Sequence, residues 1–174
     1  RVNFDGTGLT PLTEGNAYHT VVYSQDMKFY VDRWSRVDLP TVSQLRSVAD
    51  GKVLMELGKA DITELVKAGW RAPEAFVTKG RDGKTDIWGV IIRPTNFDPK
   101  KKYPVLSYTY SGPHAPSVAD RWGGTRYMWH QMMAQKGYII WICDNRTASG
   151  KGIEPTWAMY KDFGRLELRD GRRR

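Results

Sequence analysis

The stretch Arg126-Tyr127-Met128-Trp129-His130-Gln131-Met132-Met133-Ala134-Gln135-Lys136-Gly137, followed at once by Tyr138-Ile139-Ile140-Trp141-Ile142-Cys143 and Asp144-Asn145-Arg146, decides the fold class. Its first part holds no Pro, and Gly137 supplies the stop that a helix C-terminus favours. The spacing predicts a helix over 126–136. The six residues after Gly137 are almost wholly apolar and predict a strand over 138–143, buried on both faces of a parallel sheet. Upstream, Tyr103-Pro104-Val105-Leu106-Ser107-Tyr108-Thr109-Tyr110 reads as another apolar strand. Strand, helix, strand is the pattern of a βαβ unit, so this half of the chain is expected to be α/β.

Further upstream, 74–79 and 86–93 predict a hairpin across Arg81-Asp82-Gly83-Lys84, and a charged, Pro-containing link over 94–102 leads to the apolar strand. Asp61 and Glu64 form a capping-box-like pair for a short helix through Leu65 and Val66 that stops near Gly69. The first 60 residues read as all-β. Aromatic and β-branched residues over 18–24 and 28–32 flank Gln25-Asp26-Met27 as a hairpin, and 53–57 follows the turn Asp50-Gly51. Val2-Asn3-Phe4-Asp5-Gly6-Thr7-Gly8, with Leu12-Thr13, reads as a strand, an Asp-Gly turn and a short return strand. Short strands at this spacing suggest a sandwich, a barrel or a propeller blade. The change of period places a boundary near 60–75.

Composition narrows the function classes. The chain has 174 residues, 40% hydrophobic and 12% aromatic, with seven Trp and nine Tyr, which is globular rather than disordered material. No apolar run approaches the ~20 residues of a spanning helix, so no integral membrane segment is expected. The net charge of +8 includes the three Arg of the tail Gly171-Arg172-Arg173-Arg174. Elsewhere, apart from Lys100-Lys101-Lys102, bases are interspersed with acids. A nucleic-acid binder concentrates its charge, so no nucleic-acid partner is expected. Cys143 is the lone cysteine, which excludes an intrachain disulfide, and His19, His114 and His130 lack metal-ligand spacing. Neither a metal nor a cofactor is expected. The chain begins Arg-Val-Asn-Phe without an initiator Met and reads as a segment of something longer.

Two places carry chemistry-bearing residues. Tyr110-Ser111-Gly112-Pro113 puts a phenol at the C-terminal end of an apolar strand, the edge where open α/β sheets bind ligands. Tyr110 can donate a hydrogen bond to an oxyanion there, or simply pack over the turn. Asp144-Asn145-Arg146, with Ser149-Gly150-Lys151-Gly152 behind it, suits an active-site loop, or a loop merely held by an ion pair. No Ser has Gly at both second neighbours, so the Gly-x-Ser-x-Gly elbow of an α/β hydrolase is absent. Cys143 lies in an apolar strand and reads as core. Gly123-Gly124 lacks the spacing of a dinucleotide fingerprint, and no P-loop occurs. On its own residues the chain is not a complete enzyme.

A series of motifs resembles the dipeptidyl peptidase IV-type serine peptidases of the prolyl oligopeptidase family. Leu12-Thr13-Glu14-Gly15, His19, Tyr23-Ser24, Phe29-Tyr30-Val31-Asp32, Ser35 and Asp38-Leu39-Pro40 are similar to the closing blade of their propeller. Asp82-Gly83, Trp88-Gly89, Ile92-Arg93-Pro94 and Lys102-Tyr103-Pro104-Val105 are similar to the start of their catalytic domain. Tyr110-Ser111-Gly112-Pro113, Gln135-Lys136-Gly137-Tyr138, Asp144-Asn145-Arg146, Phe163-Gly164, Glu167 and Asp170 keep the same order, so the resemblance covers roughly residues 1 to 170. It departs at Thr147, where many members carry Gly, and after Asp170.

The resemblance implies a mixed fold, with a closing β-propeller blade over 1–60 and the N-terminal half of an α/β-hydrolase domain over 61–174, truncated before the nucleophile. It implies a longer serine-type exopeptidase that releases N-terminal dipeptides with Pro or Ala second from peptide substrates. Alternatives are an acylaminoacyl- or oligopeptidase relative, or a non-catalytic peptide-binding scaffold. Tyr110 alone among the family's functional residues carries over, as the oxyanion donor; the Ser, Asp and His of the triad fall outside this chain, which by itself is expected to be inactive. The family also implies that the longer protein can assemble as a homodimer, and that it is periplasmic or secreted.

Overall fold

The computed structural model describes residues 1–110, 112–114 and 116–171. The tail Arg172-Arg173-Arg174 lies outside them. Among the described residues the chain forms two four-stranded sheets in two compact units. Unit 1 comprises 1–64 with 120–122, and unit 2 comprises 65–119 with 123–174.

Unit 1 is an antiparallel meander, β1 (Tyr18–Tyr23), β2 (Phe29–Arg36), β3 (Leu39–Ser47) and β4 (Val53–Lys59), in that order. The β1–β2 hairpin matches the expected one, although β2 runs four residues further than predicted. The expected N-terminal strand pair does not form. Residues 1–17 contain a turn closed by the Asn3 N–H on the Thr7 carbonyl and no strand, because Asp5 turns its carboxylate onto the Thr7 amide rather than leaving it to a ladder. Strand β3 was not expected. Its inward positions include Pro40, Val42 and the buried Arg46, so its alternation is hidden by a charge. Arg46 can be buried because Asp32, on β2, is fully buried beside it with 3.5 Å between Nε and Oδ2. The same carboxylate meets His19 Nδ1 at 2.9 Å. Arg46 also donates to the Gly51 carbonyl and the Gln44 side chain. Residues 120–122 return to this sheet: Asp120 accepts the Val37 amide at 3.1 Å, and the Trp122 amide donates to Ser35 Oγ at 3.1 Å.

Unit 2 is a mixed sheet in the order β5 (Glu74–Lys79), β6 (Asp86–Ile92), β8 (Ile139–Cys143), β7 (Val105–Tyr108). Only β7 and β8 are parallel; β6 runs antiparallel to both of its neighbours. The expectation of a parallel sheet around β8 therefore holds on one side only. Strand β7 is also shorter than 103–110, since Pro104 cannot donate to a ladder. Helix α2 (Gly124–Gln135) connects β7 to β8 and ends where Gly137 takes φ +94°. The short helix α1 (Thr63–Lys67) starts as predicted, with Asp61 accepting the Thr63 amide at 2.9 Å. The core gathers Ile87, Val90, Ile92, Ile140, Ile142 and Ala134. Gly89 makes room for the ring of its cross-strand partner Phe76: a Cβ there would stand 2.1 Å from that ring and 2.7 Å from the Ile142 carbonyl.

His130, on α2, is buried among Tyr108, Tyr127 and Trp129, and neither ring nitrogen has a hydrogen-bond partner among the described residues. Burial, with a smaller contribution from the Arg126 guanidinium, pushes its pKa below the usual 6.5. The folded state thus binds this proton less readily than the unfolded chain does. Its contribution to stability is complete above about pH 6.5 and is lost as pH falls below that value toward the folded pKa. His130→Leu is expected to flatten the acid-side fall of the melting midpoint between pH 7 and 5. An unaltered pH profile in that variant would assign the fall to other groups.

Candidate functional site

The site is built where the parallel pair β7 and β8 ends. Past Tyr108, Thr109 Oγ1 donates to the Cys143 carbonyl at 3.0 Å and ties the outgoing chain to the end of β8. Tyr110 comes next, 76% exposed, so its phenol is open to solvent rather than packed over the turn. Its own amide donates to Ser117 Oγ at 2.9 Å, which closes the loop back on its origin. Gly112, four residues past β7, takes φ +100°, a region that disfavours side chains. The His114 amide donates to Ser149 Oγ at 2.5 Å.

The β8 side is a buried polar cluster in which, among the described residues, only the Asn145 Nδ2 group lacks a hydrogen-bond partner. Asp144 is 4% exposed, and its two oxygens accept the consecutive amides of Ser117 and Val118 at 2.6 and 2.8 Å. Lys151 Nζ donates to the carbonyls of Asp144 and Asn145, both at 2.9 Å. Thr147 is fully buried, and its hydroxyl bridges Asn145 Oδ1 and Glu167 Oε1. Glu167 in turn accepts the Gly164 amide at 2.8 Å, near the start of helix α3 (Arg165–Gly171). Arg146 does not pair with Asp144. It reaches Asp82 in the β5–β6 turn, 3.6 Å away. Hydrogen bonds from the Thr85 side chain and the Lys84 amide, aided by Arg146, hold the Asp82 carboxyl far below the usual carboxylate range.

Tyr110, Asp144 and Lys151 are thus brought together at one sheet edge, while Arg146 serves the neighbouring turn. Cys143 is buried, and its sulfur accepts the Trp141 indole N–H at 3.1 Å, as suits a core residue. Sequence reading missed Ser117, which joins Asp144 to Tyr110, because no spacing motif marks a serine seven residues down a loop. No group of three metal-ligating side chains occurs among the described residues. The arrangement presents one exposed hydroxyl donor from a backbone pinned on both sides. Such a group can meet charge that develops on a substrate oxygen.

No family model matches the chain. Human dipeptidyl peptidase 8 is 27% identical over 169 residues, 93% of this chain and 19% of its own length. Dipeptidyl peptidase 4 of Trichophyton equinum is 30% identical over 176 residues, covering 97% of this chain and 22% of its own. The crystal structure of Porphyromonas gingivalis dipeptidyl peptidase 4 superposes on 95% of the chain with a TM-score of 0.81 at 27% identity. Along most of its length the chain is similar to dipeptidyl peptidases of the IV type. It spans about a fifth of the length of these relatives. Thr147, where the resemblance departs, bridges Asn145 and Glu167. The described residues include no helix long and apolar enough to cross a membrane.

Proposed function

We propose that this stretch belongs to a serine-type exopeptidase that releases N-terminal dipeptides, with Pro or Ala second, from peptide substrates. The observation that carries the reading is the exposed Tyr110 phenol at the C-terminal end of a parallel strand, on a loop tied to the end of the neighbouring strand. In the reaction a serine hydroxyl from another part of the protein attacks the scissile carbonyl, with loss of its proton to a histidine base. The carbonyl oxygen gains negative charge, and Tyr110 donates its hydroxyl hydrogen bond to it. As that intermediate collapses, the histidine returns the proton to the leaving nitrogen, the C–N bond breaks, and the amine departs to leave an acyl-enzyme for water to hydrolyse.

Unit 2 serves as the first half of an α/β-hydrolase sheet, with β7 as the edge that the rest of the sheet extends. Unit 1 serves as the closing blade of a propeller. In support, Val53, Leu54, Met55 and Leu57 on β4 are all about half exposed, which suits a blade whose neighbours lie elsewhere in the protein. The test is to compare a free-amine Ala-Pro chromogenic substrate with its N-acetylated form on the full-length protein. Hydrolysis of the free amine alone is expected. Preference for the acetylated form would assign the protein to the acylaminoacyl branch, and inactivity on both would make it a scaffold.

A further inference from the structure

We propose that Ser117 and Asp144 are positioning residues that aim the Tyr110 hydroxyl, an inference that rests on Tyr110 being the oxyanion donor. An exposed phenol has little packing to hold it, so its direction must be set through its backbone. Here that backbone is held by a two-step relay. The Tyr110 amide donates to Ser117 Oγ at 2.9 Å, and the Ser117 amide donates to Asp144 Oδ1 at 2.6 Å. The second carboxylate oxygen takes the Val118 amide at 2.8 Å, so one buried side chain grips two successive peptide groups and fixes their orientation as well as their place.

The anchor itself is rigid. Asp144 directly follows β8, its amide donates to the Trp88 carbonyl on β6, and its own carbonyl accepts from Lys151. The relay therefore transmits the position of the central sheet to a side chain that is otherwise in solvent. A donor that must meet a developing oxyanion needs its geometry held within about 0.5 Å. Neither Ser117 nor Asp144 has to touch substrate for this role.

The experiment is a double-mutant cycle on the full-length protein with a free-amine Ala-Pro substrate. Ser117→Ala is expected to lower kcat roughly tenfold with KM little changed, since a displacement of a full 1 Å costs about 10²-fold. Ser117→Thr, which keeps the hydroxyl, is expected to restore it. In the Tyr110→Phe background Ser117→Ala should cost nothing more, because no hydroxyl remains to be aimed. Asp144→Asn, which loses one acceptor oxygen, is expected to behave in the same way and serves as the second variant if Ser117→Ala does not fold. If Ser117→Ala leaves kcat intact, or its loss multiplies with that of Tyr110→Phe, the relay is overturned while the oxyanion role stands. A normal kcat in Tyr110→Phe alone overturns both.

Discussion

Replacing Tyr110 with Phe in the full-length protein is expected to lower kcat by about 10²–10³-fold, roughly 3–4 kcal/mol of transition-state stabilisation. The change removes one oxygen from a side chain that is 76% exposed, so the fold has little at stake. KM should move far less than kcat, because the hydrogen bond is made to charge that exists only on the way to the tetrahedral intermediate. Steady-state kinetics on a free-amine dipeptide substrate, with melting of both proteins as the control, separate these effects. Near-normal kcat in a folded variant would remove Tyr110 from the mechanism. A raised KM with kcat intact would make it a binding residue instead.

The second large effect is expected in unit 1 and concerns stability. Asp32 is fully buried and is the acid that faces both His19 and Arg46, whose side chains are 12% and 9% exposed. Asp32→Ala would leave the Arg46 guanidinium buried with its countercharge gone, at a cost of about 3–5 kcal/mol. Arg46 would keep its bonds to Gly51 and Gln44, but these engage only its two terminal nitrogens and leave the buried Nε and the charge without a counterpart. The penalty arises from the stranded cation more than from the value of the pair. The combined variant His19→Leu, Asp32→Leu, Arg46→Met is therefore expected to lose less than Asp32→Ala alone. Urea midpoints of the two variants and the parent protein decide it. An unshifted midpoint for Asp32→Ala would show that water reaches this cluster.

These two predictions differ in how far the residues could be recognised beforehand. The place of Tyr110 was legible from local pattern, an apolar run, then a phenol, then Gly and Pro, whereas its donor role is implied only by the resemblance. Asp32 stood in a strand that was expected, yet nothing near it in sequence showed that it faces inward to meet a basic residue of the next strand. Arg46 concealed its own strand in the same way, since a charged residue at an inward position breaks the alternation that identifies β structure. The N-terminal residues erred in the opposite direction. Asp5-Gly6 has the residue types of a hairpin turn, and the turn forms, but no strands extend from it.

What the sequence by itself determined is what local chemistry decides. The β1–β2 and β5–β6 hairpins, the Asp61 cap, the stop of α2 at Gly137 and the βαβ order through β8 each depend on residues within a few positions of one another. Their motifs, taken in order, also carried the family resemblance. Only the tertiary structure decided the contacts made when the chain returns to itself. Asp144 meets Ser117 and Val118 across 27 and 26 residues, and residues 120–122 reach Ser35 and Val37 across 87 and 83. A buried carboxylate needs donors, and any amide brought within reach can supply them. Which amides those are depends on the path of the whole chain, so a pattern only a few residues long does not contain it.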